Sequence, residues 1–153
     1  MVSPTLDPSS VIEELRSGCD NGLDRKGLLR LAATKIRQAG DPYSGVYMYM
    51  VHGDSLVLEA FDGRPTEHHV IPVGSGLCGK AVAEGHDLNV PDVTESDEYM
   101  TCSIETQSEL IVLIRTRGNI VGQIDVDSDV RNGFNELEQA SVREIADFLG
   151  TIL

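Results

Sequence analysis

Hydrophobic and polar residues follow one another along this chain in two rhythms, and the switches between them mark out its elements. In "LDRKGLLRLAATKIRQAG" the apolar Leu28, Leu31, Ala32 and Ile36 recur every three or four residues, which predicts a helix closed at Gly40. A shorter helix is expected in "VIEELRSG", capped by Ser9 or Ser10 with Glu13 or Glu14 close behind, after a loose tail over residues 1–8. The period then falls to two. "SGVYMYMVHGDSLVLEAF" reads as a hairpin about His52-Gly53-Asp54, and "HHVIPV" and "HDLNVPDV" each supply a short strand. Between these two lies "GSGLCGKAVAEG", a glycine-punctuated loop turning into a short helix that ends at Gly85. The clearest hairpin is "ELIVLIRTRGNIVGQIDVD", residues 109–127, with Gly118 at its turn. In the closing helix, Leu137, Ile145, Phe148, Leu149 and Ile152 form an apolar stripe, and Asn135 with Glu138 gives a capping-box-like start.

Helices, then strands, then a helix describe an α+β fold: a central antiparallel sheet with the N- and C-terminal helices packed on one face. Residues 1–20 are read as a tail and short helix, and residues 21–153 as a single domain, long enough to bury a core without metal or disulfide staples. No apolar run approaches the ~20 residues of a membrane span. The N-terminus lacks a basic segment followed by an apolar one, so a cytoplasmic protein is expected. Twenty-five Asp and Glu against twelve Lys and Arg give a formal charge of −13, which repels phosphate backbones and anionic lipid. Neither nucleic acid nor membrane is an expected partner.

The candidate chemistry lies in thiols and acids. Cys19, Cys78 and Cys102 form no C-x-x-C, and in a reducing compartment any disulfide between them would be transient and redox-active. His68 and His69 are adjacent, so on a strand they point to opposite faces and cannot easily share an ion. Asp125, Asp127, Asp129 and Glu136 stand at the first, third, fifth and twelfth positions of a calcium loop, but Val130 occupies the place that needs glycine. No metal is expected. Asp125 and Asp127 share one face of their strand, and the hairpin brings Glu109 beside them. A three-residue connection opposes Glu109 to Asp127 directly, whereas a two-residue connection does not. Cys102, in "EYMTCSIETQSE", precedes Glu109 by seven residues, so the loop carrying this thiol opens into the acidic strand. Cys78, in "GSGLCGKAV", sits near a helix N-terminus, and Cys19 lies apart.

With "IPVGSGLCGKAVAEG", "CSIETQSELIVLI" and "GNIVGQIDVDSD" in view, the segment from about Tyr43 to Phe134 resembles the GAF-domain free methionine-(R)-sulfoxide reductases. The resemblance implies a GAF fold and reduction of free methionine-(R)-sulfoxide, with Cys102 as nucleophile and Cys78 as the thiol that resolves it into a disulfide. It further implies that Glu109, Asp125 and Asp127 hold the substrate ammonium or help protonate the sulfoxide oxygen, and that Tyr43 stands where many members place a tryptophan against the substrate methyl. Many members carry a further cysteine at the position of His68, and an aspartate at that of Ser103. No organic cofactor is implied, only an external thiol reductant such as thioredoxin, and a homodimer is the expected assembly. The alternative is a GAF module that senses a small molecule without chemistry.

Overall fold

The computed structural model describes residues 3–97 and 104–153. In chain order the elements are α1 (Pro8–Asp20), α2 (Arg25–Arg37), β1 (Gly45–His52), β2 (Ser55–Asp62), β3 (Val70–Pro72), α3 (Gly76–Glu84), β4 (Leu88–Val90), β5 (Ser108–Thr116), β6 (Asn119–Ser128) and α4 (Glu136–Ile152). The strands form one sheet in the order β3-β2-β1-β6-β5-β4, with antiparallel pairing throughout. Period-two alternation splits its central strands between two apolar layers. Val46, Met48, Met50, Leu110, Val112, Ile114, Ile124 and Val126 face α1, α2 and α4 in the larger one. Tyr47, Tyr49, Ile111 and Leu113 face the other way, where α3 supplies Leu77, Cys78 and Ala81. The terminal helices do lie on one side, and α3 has the opposite side.

Three local expectations need correction. The cap of α1 is Asp7, whose carboxylate accepts from the Ser9 amide, with Pro8 opening the helix in place of a serine cap. From Thr5 onward the tail is fastened, because Leu6 is buried and the Thr5 and Leu6 amides donate to the Glu138 carboxylate at 2.7 and 3.2 Å. In α4, Leu137 is 41% exposed while Glu138 is buried, so the packed stripe runs through Val142, Ile145, Ala146 and Leu149. Asn135 does cap the helix, accepting from the Glu138 amide at 2.9 Å, but the Glu138 side chain serves the tail.

The α4–sheet contact depends on one residue without a side chain. A Cβ on Gly150 would lie 2.0 Å from the Arg115 carbonyl oxygen, and Thr116 Oγ1 donates to the Gly150 carbonyl at 2.9 Å. Helix propensity alone favours alanine there by about 1 kcal/mol. The backbone clash opposes it, so Gly150→Ala is expected to lower stability by roughly 2 kcal/mol or more in a urea melt. An unchanged or raised midpoint would show that α4 is free to shift away from β5.

Candidate active site

The β5–β6 hairpin brings the acids together by a route that residue counting misses. Its connection is the two-residue turn Arg117-Gly118, with Thr116 opposite Asn119 and both turn residues at positive φ, 53° and 83°. By itself that register would set Glu109 against Val126. A bulge intervenes: Arg115 faces Ile120 but Ile114 faces Gly122, leaving Val121 as the extra residue on β6. Below the bulge Glu109 lies directly opposite Asp127, and Ile111 opposite Asp125. Gly122 permits this course, since a Cβ there would sit 2.5 Å from Met50 Sδ and 2.7 Å from the Tyr49 carbonyl oxygen.

Glu109, Asp125 and Asp127 therefore share the face that α3 covers, and each is at least nine-tenths buried: 4%, 5% and 7% exposed. Their carboxyl groups are not aimed at solvent. Glu109 hydrogen-bonds with both aspartates, and a bond between two carboxyl groups requires that one keep its proton. Cys78, near the start of α3, completes the group, its thiol donating to Asp125 Oδ2 at 3.3 Å. Burial raises the Asp125 carboxyl despite hydrogen bonds from Glu109 and Cys78 that pull it down. Asp127 is pushed well above the usual carboxylate range, by burial and then by the Asp125 charge, with Arg64 opposing. The Cys78 thiol is likewise driven well up, first by burial and then by Asp125 and Glu109. Proximity to a helix N-terminus, which would lower a thiol, is outweighed here.

Around this cluster, the loop after β2 is fastened from below. Tyr47 and Tyr49 on the same face of β1 donate to the Arg64 and His68 carbonyls at 2.5 and 2.7 Å. Arg64 in turn pairs with Asp129 and, at 3.0 Å, with Glu105, tying the loop to the segment that follows residue 103. A cavity of about 20 Å³ is bounded by Cys78, Glu109, Asp125, Tyr49, His68, Ile71 and Leu77. A much larger open groove, about 770 Å³, runs between α2 and β2 past Arg30, Glu59 and Asp62, away from the thiol.

Of the expected site residues, Cys78, Glu109, Asp125 and Asp127 come together, while Cys102 and Ser103 lie outside the described residues. Tyr43 does not join them, which corrects its expected role against the substrate methyl. It is buried in the larger core on the opposite face of the sheet, edge-on to Phe134 at 5.7 Å, with its hydroxyl donating to Glu138 Oε1 at 2.8 Å. Burial and that carboxylate raise the phenol, leaving it no part in acid–base work near neutrality. Cys19 is exposed and apart. Gln123 was missed. It precedes Asp125 by two residues on the same face, is fully buried, and donates through Nε2 to the Cys78 carbonyl at 3.0 Å. The period-two rule that paired Asp125 with Asp127 places it in the same row.

A curled antiparallel sheet with helices on one side and a short helix over an acid-lined face is the architecture of a GAF domain; residues 24–153 match that family and the chain belongs to it. Its kinship within the family runs to the free methionine-R-sulfoxide reductases. Over 105 residues it is 31% identical to the one from Escherichia coli K12, a match covering 69% of this chain and 63% of that protein, so the chain spans less than two thirds of that relative's length. The type II free methionine-R-sulfoxide reductase of Thermoplasma acidophilum is 32% identical, with a TM-score of 0.77 and 92% of each chain covered. The reductase of Neisseria meningitidis, solved in complex with its substrate, is 28% identical with a TM-score of 0.85, covering 98% of this chain and 90% of that one. Among the described residues no helix is long and apolar enough to cross a membrane.

Proposed function

We propose that this chain reduces free methionine-R-sulfoxide to methionine, using thiols as its redox groups. The observation that carries this reading is the buried group of three carboxyls, two of which, Asp125 and Glu109, lie beside the Cys78 thiol. Burying three acids costs stability in the empty fold, a cost that a binding role accounts for, and a free amino acid brings the complementary ammonium. Peptide-bound methionine sulfoxide offers only a neutral amide. The cavity holds about one water-sized guest, so its walls must part to admit an amino acid.

In this reading the Cys102 thiolate attacks the sulfoxide sulfur, and oxygen passes to the cysteine as protons reach it from the pocket acids. Methionine departs and Cys102 is left as a sulfenic acid. Asp127 is taken as the proton source, because burial raises its affinity for a proton above that of an ordinary carboxyl. The Cys78 sulfur then attacks the sulfenic sulfur, water leaves, and a Cys78–Cys102 disulfide forms. A dithiol such as thioredoxin reduces it by exchange, supplying the two electrons that the sulfoxide consumed.

The test is a comparison of free R sulfoxide, free S sulfoxide and N-acetylated R sulfoxide as substrates with a dithiol reductant. Free R sulfoxide is expected to turn over, with the acetylated compound slower by about 100-fold in kcat/KM for loss of a charge-assisted contact. Equal rates for free and acetylated substrate would remove the ammonium-selection argument. Binding of free amino acid without turnover would make the domain a sensor.

A further inference from the structure

We propose that Cys78, Glu109 and Asp125 form an inhibitory binding site for a single zinc-class divalent cation. The Cys78 sulfur and a carboxylate oxygen from each acid lie within 4.8 Å of one another, and all three residues are buried. The Cys78 Sγ to Asp125 Oδ2 separation is 3.3 Å. Zinc–sulfur and zinc–oxygen bonds of about 2.3 and 2.0 Å at a tetrahedral angle give an edge of roughly 3.5 Å, so this pair needs almost no rearrangement to chelate.

Independently of the cluster, the second oxygen of Asp125 is unaccounted for. Oδ1 is buried without a hydrogen-bond partner among the described residues, while its carboxylate borders the 20 Å³ cavity. A buried carboxylate oxygen normally finds a partner, and a cation held by Asp125 through both its oxygens, Oδ2 beside Cys78 and the unpartnered Oδ1, would meet that demand. The cavity accommodates one atom-sized guest, and no lysine or arginine lines it among the described residues. Arg64, which lowers Asp127, is engaged with Asp129 and Glu105.

The donor set chooses the class of ion. Calcium and magnesium take oxygen shells, whereas one thiolate with two carboxylates suits zinc, with the fourth position left open. On binding, the Cys78 thiol proton and the proton shared between the Glu109 and Asp125 carboxyls leave to solvent, and no electrons move. The bound ion would occupy the carboxylates proposed to meet the substrate ammonium and would tie up the thiol proposed to resolve Cys102. That inhibitory consequence rests on the reductase reading, but the binding does not.

The experiment titrates the reduced, chelator-stripped chain with zinc alone against a chromophoric chelator, then substitutes cobalt for zinc. One equivalent per chain is expected, with a cobalt–thiolate charge-transfer band. Cys78→Ser should abolish the band, and Asp125→Asn should weaken binding by more than about 100-fold, beyond the cost of losing an outer-shell partner. Cys102→Ser should leave both unchanged. Absence of stoichiometric uptake, or a wild-type cobalt complex without a thiolate band, overturns the site even if a variant misfolds. Uptake lost in Cys102→Ser but kept in Cys78→Ser overturns it as well. Metal-free protein that takes up zinc but never reduces sulfoxide would retain the site and sink the reductase, whereas active protein that ignores zinc would do the reverse.

Discussion

Asp127→Asn is expected to yield a protein that is more stable and nearly inactive. Asp127 is buried opposite Glu109 and beside Asp125, and its carboxyl is pushed well above the ordinary range by burial and the Asp125 charge. The folded chain therefore holds protons that the unfolded chain releases. Stability from this group is fully present below the unfolded carboxyl pKa of about 4 and is lost as pH rises through the folded value. An asparagine carries no charge to desolvate, so the variant's stability should decline less between pH 4 and pH 8 than the wild type's. Near neutrality the gain should be on the order of 1–2 kcal/mol, a rise of a few degrees in Tm. Asparagine cannot deliver a proton to the sulfoxide oxygen, so kcat should fall by about 10²-fold or more, in line with the loss of a general acid. Thermal melts across that pH range, run beside initial rates, check both halves. A variant that melts lower and works normally would make Asp127 a structural residue.

The same cluster shows what the sequence discloses and what it withholds. Period-two alternation is a local property of a strand, and it sufficed to put Asp125 and Asp127 on one face and Glu109 nearby. Register is not local. The two-residue turn implied that Glu109 would miss Asp127, and only the bulge at Val121, with Gly122 packed on Met50, returns them to opposition. The Val-Gly pair was the available signal, because an isolated glycine in a strand marks a bulge or a close approach. The closing helix holds with its Asn135 cap, and one position of its stripe departs for a related reason. Leu137 sits at a stripe position by spacing, yet Glu138 takes the buried place because the Thr5 and Leu6 amides and the Tyr43 hydroxyl, all far away in the chain, satisfy its carboxylate. Tyr43 stands by resemblance at a tryptophan position, whereas Glu138 and Phe134 hold it on the other side of the sheet. Motif and alternation located the acids and Cys78; partners far off in the chain, Met50 against Gly122 and Tyr43 against Glu138, decided the rest.

Cys78→Ser should separate the first half of the proposed reaction from the second. Without a resolving thiol, Cys102 can still take the oxygen, so mixing the variant with free R sulfoxide is expected to release about one methionine per chain and then stop with a dithiol too bulky to enter the site. The burst should persist while steady-state turnover falls by at least about 100-fold. The wild-type resolution step should also carry a pH signature. The Cys78 thiol is raised by burial and by Asp125 and Glu109, so its thiolate is scarce at neutrality and disulfide formation should accelerate as pH rises. Asp125→Asn removes the charge that contributes most to that shift and the acceptor that holds the thiol at 3.3 Å. It should therefore speed resolution near pH 7 even as it weakens substrate binding. Rapid-quench measurement of methionine release and of disulfide formation, each as a function of pH, distinguishes the steps. If Cys78→Ser turns over steadily, the two-cysteine cycle must be given up; if Asp125→Asn leaves the pH dependence of disulfide formation unaltered, the acids do not govern this thiol.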